Sequence, residues 1–150
     1  MKLNTAPLQD IEYGMPVIAE GTYFAKIDDS KVQIKPNKSS TGQNLLIPLT
    51  IVSKELFTFD GKPLENRGQI KLTMYVSLVP TANYNPDGRL KELAVACHVP
   101  EDKQDFEVSD VRGFVKVKVV YNKPEGQFGD SNSVARLLSI KDSDNFNPDA

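Results

Sequence analysis

Residues 111–126, VRGFVKVKVVYNKPEG, alternate strictly. Val115, Val117, Val119 and Tyr121 fall on one parity, and Phe114, Lys116, Lys118 and Val120 on the other. Successive side chains of a strand point to opposite faces, so this segment buries its valines on one side and shows lysines and an aromatic ring on the other. A helix would scatter the same valines around its axis. The chain is thereby committed to a sheet with one wet side. Two readings of that side stay open: lysines on an outer strand keep it solvated and guard against edge pairing, or they receive an anionic partner.

The rest of the chain follows the same period in four more places. The first 20 residues show no clear period and read as an N-terminal arm. In GTYFAKIDDSKVQIK (21–35), Tyr23, Ala25 and Ile27 share a parity, as do Val32 and Ile34, with a kink expected at Asp28-Asp29. A long bent first strand accounts for that phase change. PNKSSTGQN (36–44) is a loop by composition. LLIPLTIVS (45–53) is the second strand, in which Pro48 marks a bulge or an edge because proline donates no ladder bond. FTFDGKPLENRG holds an Asp-Gly pair between short extended pieces, a turn signal. QIKLTMYVSL (69–78) is the third strand, its outer parity carrying Lys71, Thr73, Tyr75 and Ser77.

The period then changes. Asn85 before Pro86 is a helix start, Leu90, Leu93, Ala94 and Cys97 recur at helical spacing, and Pro100 ends the helix. A short acidic turn leads to the alternating segment, which is the fourth strand. SVARLLSI (133–140) is the fifth. Three strands, a helix and two strands is the order of the OB-fold, so the fold expected is mainly β: a five-stranded OB-fold-like barrel over 21–140 with one helix between strands three and four. Residues 141–150 read as an acidic, flexible tail.

Charge distribution matters more here than the net −2. Residues 101–110 alone carry −4 and residues 141–150 carry −2, which leaves +4 for the remainder. A basic face on the barrel is therefore permitted. A single cysteine, Cys97, excludes an internal disulfide framework. There is no apolar run near the roughly 18 residues that cross a membrane and no hydrophobic signal core, so a cytoplasmic location without membrane contact is expected.

Catalytic patterns are missing. His98 is the only histidine, beside Cys97 at a helix end, and reads as structural or solvated. Cysteine and histidine numbers exclude the usual metal sites, and no Walker or dinucleotide glycine pattern occurs. Neither enzyme chemistry nor a cofactor is expected.

An OB barrel usually binds along the exterior of strands two and three, between the loops joining strands one to two and four to five. Single strands need cations for phosphates and flat rings for bases. The first loop and its stems offer Lys31, Lys35 and Lys38, and strand three offers Lys71 and Tyr75. Strand four offers Phe114, Lys116 and Lys118, and the last loop Lys123 and Phe128 with Tyr121 at its base. Tyr121 continues the valine parity and fits a core as well as a ligand site. The tail, with Asp142, Asp144, Phe146 and Asp149, can occupy such a groove, recruit a partner protein, or simply keep the chain soluble.

These residues carry a resemblance. EGTYFAKI, KSSTGQNLLIPLTIV, LKELAVACHVP, VRGFVKVKVVY and GDSNSVARLLSI together look like a phage-type single-stranded-DNA-binding protein of the small OB-fold kind. That resemblance implies sequence-independent binding and protection of single-stranded DNA in phage replication or recombination, in the host cytoplasm, with the acidic tail contacting replication enzymes. Here the tail departs from the common form, since NPDA follows Phe146. The alternative from the residues alone is a non-enzymatic barrel for protein interaction or virion assembly.

Overall fold

A computed structural model of the protein describes residues 16–36, 42–125 and 129–147. The alternating segment forms strand β7 (Phe114–Asn122), with Val115, Val117 and Val119 buried (labels β1–β8 run in chain order). Its neighbours obey the same rule. β1 (Gly21–Ile27) buries Ala25 and Ile27, β3 (Gln43–Ile51) buries Leu45, Ile47, Leu49 and Ile51, and β6 (Lys71–Ser77) buries Leu72, Met74 and Val76. Alternate apolar side chains thus meet in one core and the other parity stays outside.

The expected bend in the first strand is a break. After β1 a short 3-10 turn at Asp29–Lys31 intervenes, and β2 (Gln33–Pro36) resumes. Both halves pair with β3, Ile27 opposite Leu49 and Gln33 opposite Leu46. Pro48, expected at a bulge or edge, sits where one flank of β3 is interrupted, since the β2 ladder stops at Leu46 and the β1 ladder starts at Leu49. Its carbonyl accepts the Asp28 N–H at 2.9 Å. The N–H and C=O of a strand residue point to the same flank, so the missing proline N–H faces the gap where the first strand breaks. No bond to β6 is lost, where Pro48 stands opposite Thr73.

The main sheet runs from β6 through β3, β1 and β7 to β8 (Ser131–Leu138), with β2 beside β3, and every pairing is antiparallel. β6 and β8 come together, and helix α1 (Pro86–Ala96) packs across both. No ladder joins them among the described residues, so the expected closed barrel is not made by hydrogen bonds. The architecture is mainly β, a sheet curled until its ends meet beneath one helix.

The Asp-Gly turn grows into a separate hairpin, β4 (Glu55–Phe57) with β5 (Pro63–Glu65), turning at Gly61 with φ +87°. A side chain would strain that backbone. The end of the expected arm pairs with this hairpin. Ala19 N–H donates to Phe57 O at 3.0 Å, Phe59 N–H donates to Val17 O at 3.1 Å, and Ile18 is fully buried.

α1 begins as expected, the Asn85 side chain accepting the Asp87 N–H at 2.9 Å. It ends before Pro100. Cys97 is the cap, and His98 takes the left-handed conformation with φ +57°. The His98 and Val99 N–H groups donate to Val95 O and Ala94 O, which is a Schellman closure. The buried face is Pro86, Leu93 and Ala96, with Leu90 and Cys97 packed at its margin.

Candidate nucleic-acid interface

Register sets the outer side chains of β1, β7 and β8 in rows. Lys26 stands opposite Phe114. Phe24 is opposite Lys116, which is opposite Leu138; Thr22 is opposite Lys118, which is opposite Arg136. The Lys26 row continues across β3 and β6 as Thr50 and Lys71. At the usual strand spacing, Lys71, Thr50, Lys26 and Phe114 span about 14 Å of sheet. The Lys26 ammonium lies 5.8 Å from the centroid of the Phe114 ring, a cation–π contact.

The chain's own C-terminal segment lies on this face. Residues 141–147, read as a flexible tail able to occupy a groove, form a 3-10 turn at Asp142–Asp144 and then pack back. The Phe146 ring sits 4.6 Å from that of Phe24 and 5.2 Å from that of Phe114, centroid to centroid. Lys116 Nζ reaches the Asp144 carboxylate at 3.1 Å. The Lys141 backbone N–H, and after it the Lys116 ammonium, hold the Asp144 carboxyl below its ordinary range. A depression of about 250 Å³ remains among Phe24, Phe114, Lys54 and Phe146. Asp142 is exposed on the turn, and Asp149 lies outside the described residues.

A second region lies on β2, β3 and β6. Tyr75 is 62% exposed and stands opposite Leu46, which is opposite Gln33. Lys35 is opposite Asn44, and Lys31, on the 3-10 turn, borders with Tyr75 and Pro48 a shallow groove of about 430 Å³. Lys31, Lys35 and Lys71 are all exposed. Lys38 and Phe128 lie outside the described residues.

Tyr121 belongs to neither face. It keeps the valine parity, and its ring stacks on Phe59 at 5.0 Å with an interplanar angle of 7°. Burial, and then the nearby Asp130 carboxylate, pushes its phenol above its ordinary value, so the hydroxyl stays protonated and donates to Asp130 at 3.4 Å. Its backbone N–H donates to Glu20 at 2.9 Å. Of the two roles open to it, these contacts favour the structural one. Lys123 is exposed just beyond β7.

Sequence reasoning missed Phe24, Lys26 and Arg136. The signal for the first two was present: with Ala25 and Ile27 assigned inward, Phe24 and Lys26 must point outward beside Phe114 and Lys116. Arg136 was hidden by an irregularity in register between Lys118 and Val119 against β8. Also not singled out were Phe57 and Phe59, 53% and 46% exposed on the hairpin that the Asp-Gly pair signalled.

Other chemistry is sparse. Among the described residues no three His, Cys, Asp or Glu side chains gather to hold a metal ion, and no helix is long and apolar enough to cross a membrane. His98 is exposed at the helix end. Burial pushes the Cys97 thiol up, away from the reactive thiolate. No protein-family model and no curated protein matches the chain.

Proposed function

We propose that this chain is a non-enzymatic, OB-fold-like protein that binds single-stranded DNA without reading its sequence. On the resemblance noted above, its setting is phage replication or recombination in the host cytoplasm. The strand order supports the fold reading: the broken first strand pairs with the second and fourth, the second with the third, and the fourth with the fifth. Closing β6 onto β8 would complete an OB-type barrel.

One observation carries the functional reading. On the β1/β7 face an aromatic ring and a carboxylate of the chain itself, Phe146 and Asp144, occupy the two phenylalanines and the lysine. A stacked base and a phosphate demand the same pair of partners, ring to ring and anion to ammonium. With the segment lifted, Phe24 and Phe114 would take bases, and Lys26, Lys116 and Lys118 would take phosphates. Lys71, Tyr75, Lys31 and Lys35 would extend contact along β6 and β2. The tail would serve as a cover and as a docking segment for replication or recombination proteins.

Fluorescence anisotropy of labelled oligo-dT, titrated at low and then moderate salt with duplex competitor, tests this. Tight binding that falls with salt and resists duplex is expected, because each neutralised phosphate releases counterion. Absence of binding by the folded protein at low salt would sink the reading. The second reading, a protein-interaction or virion-assembly module, draws on the exposed Phe57 and Phe59 of the β4–β5 hairpin, since exposed rings of this kind mark protein contacts.

A further inference from the structure

A cleft of about 380 Å³ opens between α1 and the end of β8. Four cations border it, Lys91 from the helix, Lys116 from β7, Arg136 from β8 and Lys141 after it, with one acid in the lining, Glu92, and Asp144 paired to Lys116 from outside it. Glu92 is engaged with Arg136 at 3.1 Å. The floor is apolar: Ala96 and Leu137 are buried, and Val95 is left 49% exposed. Val95 alone would be ordinary, but here it adjoins Ala96, Leu137 and Leu138 inside a ring of cations. Cations around an apolar floor suit a ligand that alternates anionic groups with flat, weakly polar bodies.

Lys116 belongs both to this cleft and to the β1/β7 face. Leu138, opposite Lys116 on β8, lines the cleft as well. The Asp142–Asp144 turn follows directly on Lys141, so it lies between the cleft and the Phe24–Phe114 depression. The two hollows are therefore adjacent stations along one row of the sheet.

We infer that the bound strand does not stop at the β1/β7 face but continues over Lys116 into the α1–β8 cleft. There Lys91, Arg136 and Lys141 receive its next phosphates, and Val95 supports a base or sugar. This rests on the single-strand-binding reading and gives that site a direction, toward the helix.

The test compares the full chain with a Lys91→Glu variant, titrating labelled dT4 and dT15 by anisotropy across a salt series. The substituted residue is exposed, and circular dichroism checks the fold. The expected result is a roughly three- to tenfold loss for dT15 with dT4 unchanged, and a dT15 salt slope reduced by about 0.7 for the lost phosphate contact. Val95→Glu, which alters the floor without removing a cation, should reproduce the length-dependent loss. Unchanged dT15 binding in both variants, or equal losses for dT4 and dT15, would overturn the inference and leave the cleft to another partner such as an acidic peptide. If the unmodified protein binds neither oligonucleotide, the underlying reading itself has failed.

Discussion

The β1/β7 face and the β2/β6 groove both combine aromatic rings with lysines and are treated oppositely by the chain. On the first, Phe24 and Phe114 are half-buried under Phe146, and Lys116 is paired with Asp144. On the second, Tyr75 stands open at 62% exposure with Leu46 and Gln33 beside it, and Lys31 and Lys35 are exposed. Two adjacent phenylalanines on an outer sheet surface expose enough apolar area to need a cover. A single tyrosine does not, because its hydroxyl keeps one end wet. On the proposed function, the covered face would gain most from a ligand, and the open groove would be the accessory.

That ranking is breakable. Replacing Lys116 and Lys118 by Glu reverses two charges in the middle of the first face, and single-strand affinity is expected to fall by at least about a hundredfold at low salt. The same change at Lys35 should cost about three- to tenfold, as one peripheral phosphate contact. Anisotropy titrations of the two variants decide it. Equal losses, or a larger loss at Lys35, would reverse the order of the two regions. Lys116→Glu also places like charge against Asp144, so the tail should leave in the same variant, which faster hydrogen exchange over 141–147 would register.

Tyr75→Ala sharpens the same comparison with a smaller effect. The side chain is exposed on the outer parity, so unfolding free energy should change by no more than about 0.5 kcal/mol. A lost base stack is worth roughly 1–3 kcal/mol, which makes about tenfold in affinity for an oligonucleotide long enough to reach β6. Identical affinity in wild type and variant would confine binding to the β1/β7 face and the helix cleft.

Much of this was legible in the strands and little of it in their joints. Parity placed Val115, Val117 and Val119 inward and Phe114, Lys116 and Lys118 outward, because a two-residue period is local and a core enforces it. The first-strand break was visible as a phase change, and Asn85 announced its helix. Pro48 marked an interrupted ladder, but which flank the missing donor faces is settled by a distant segment, Asp28. Tyr121 carried its correct parity, but its partner Phe59 comes from a hairpin whose turn and short extended pieces were legible while its placement against β7 was not. The docked tail was least legible: seven residues rich in Asp and Asn have the composition of a free end, and only the rows formed by β1 and β7 create the place that receives Phe146.

The smallest expected effect separates the two regions by pH. Asp144 has its carboxyl lowered in the folded state by the Lys141 N–H and the Lys116 ammonium. A lowered folded value means that the ionised form is the one that docks. The contribution is therefore fully present above the unfolded-chain value of about 3.9 and disappears only as pH falls through the lower folded one. Phe146 and Lys116 resonances in a two-dimensional NMR titration should accordingly hold steady from neutral pH down to about 4 and move together below it. Tyr75, whose ring has no carboxylate holding a cover over it, should show no step in that window. Release of Phe146 well above pH 4 would mean that the ring leaves without the carboxylate, and the cover would then be held by stacking on Phe24 and Phe114 alone.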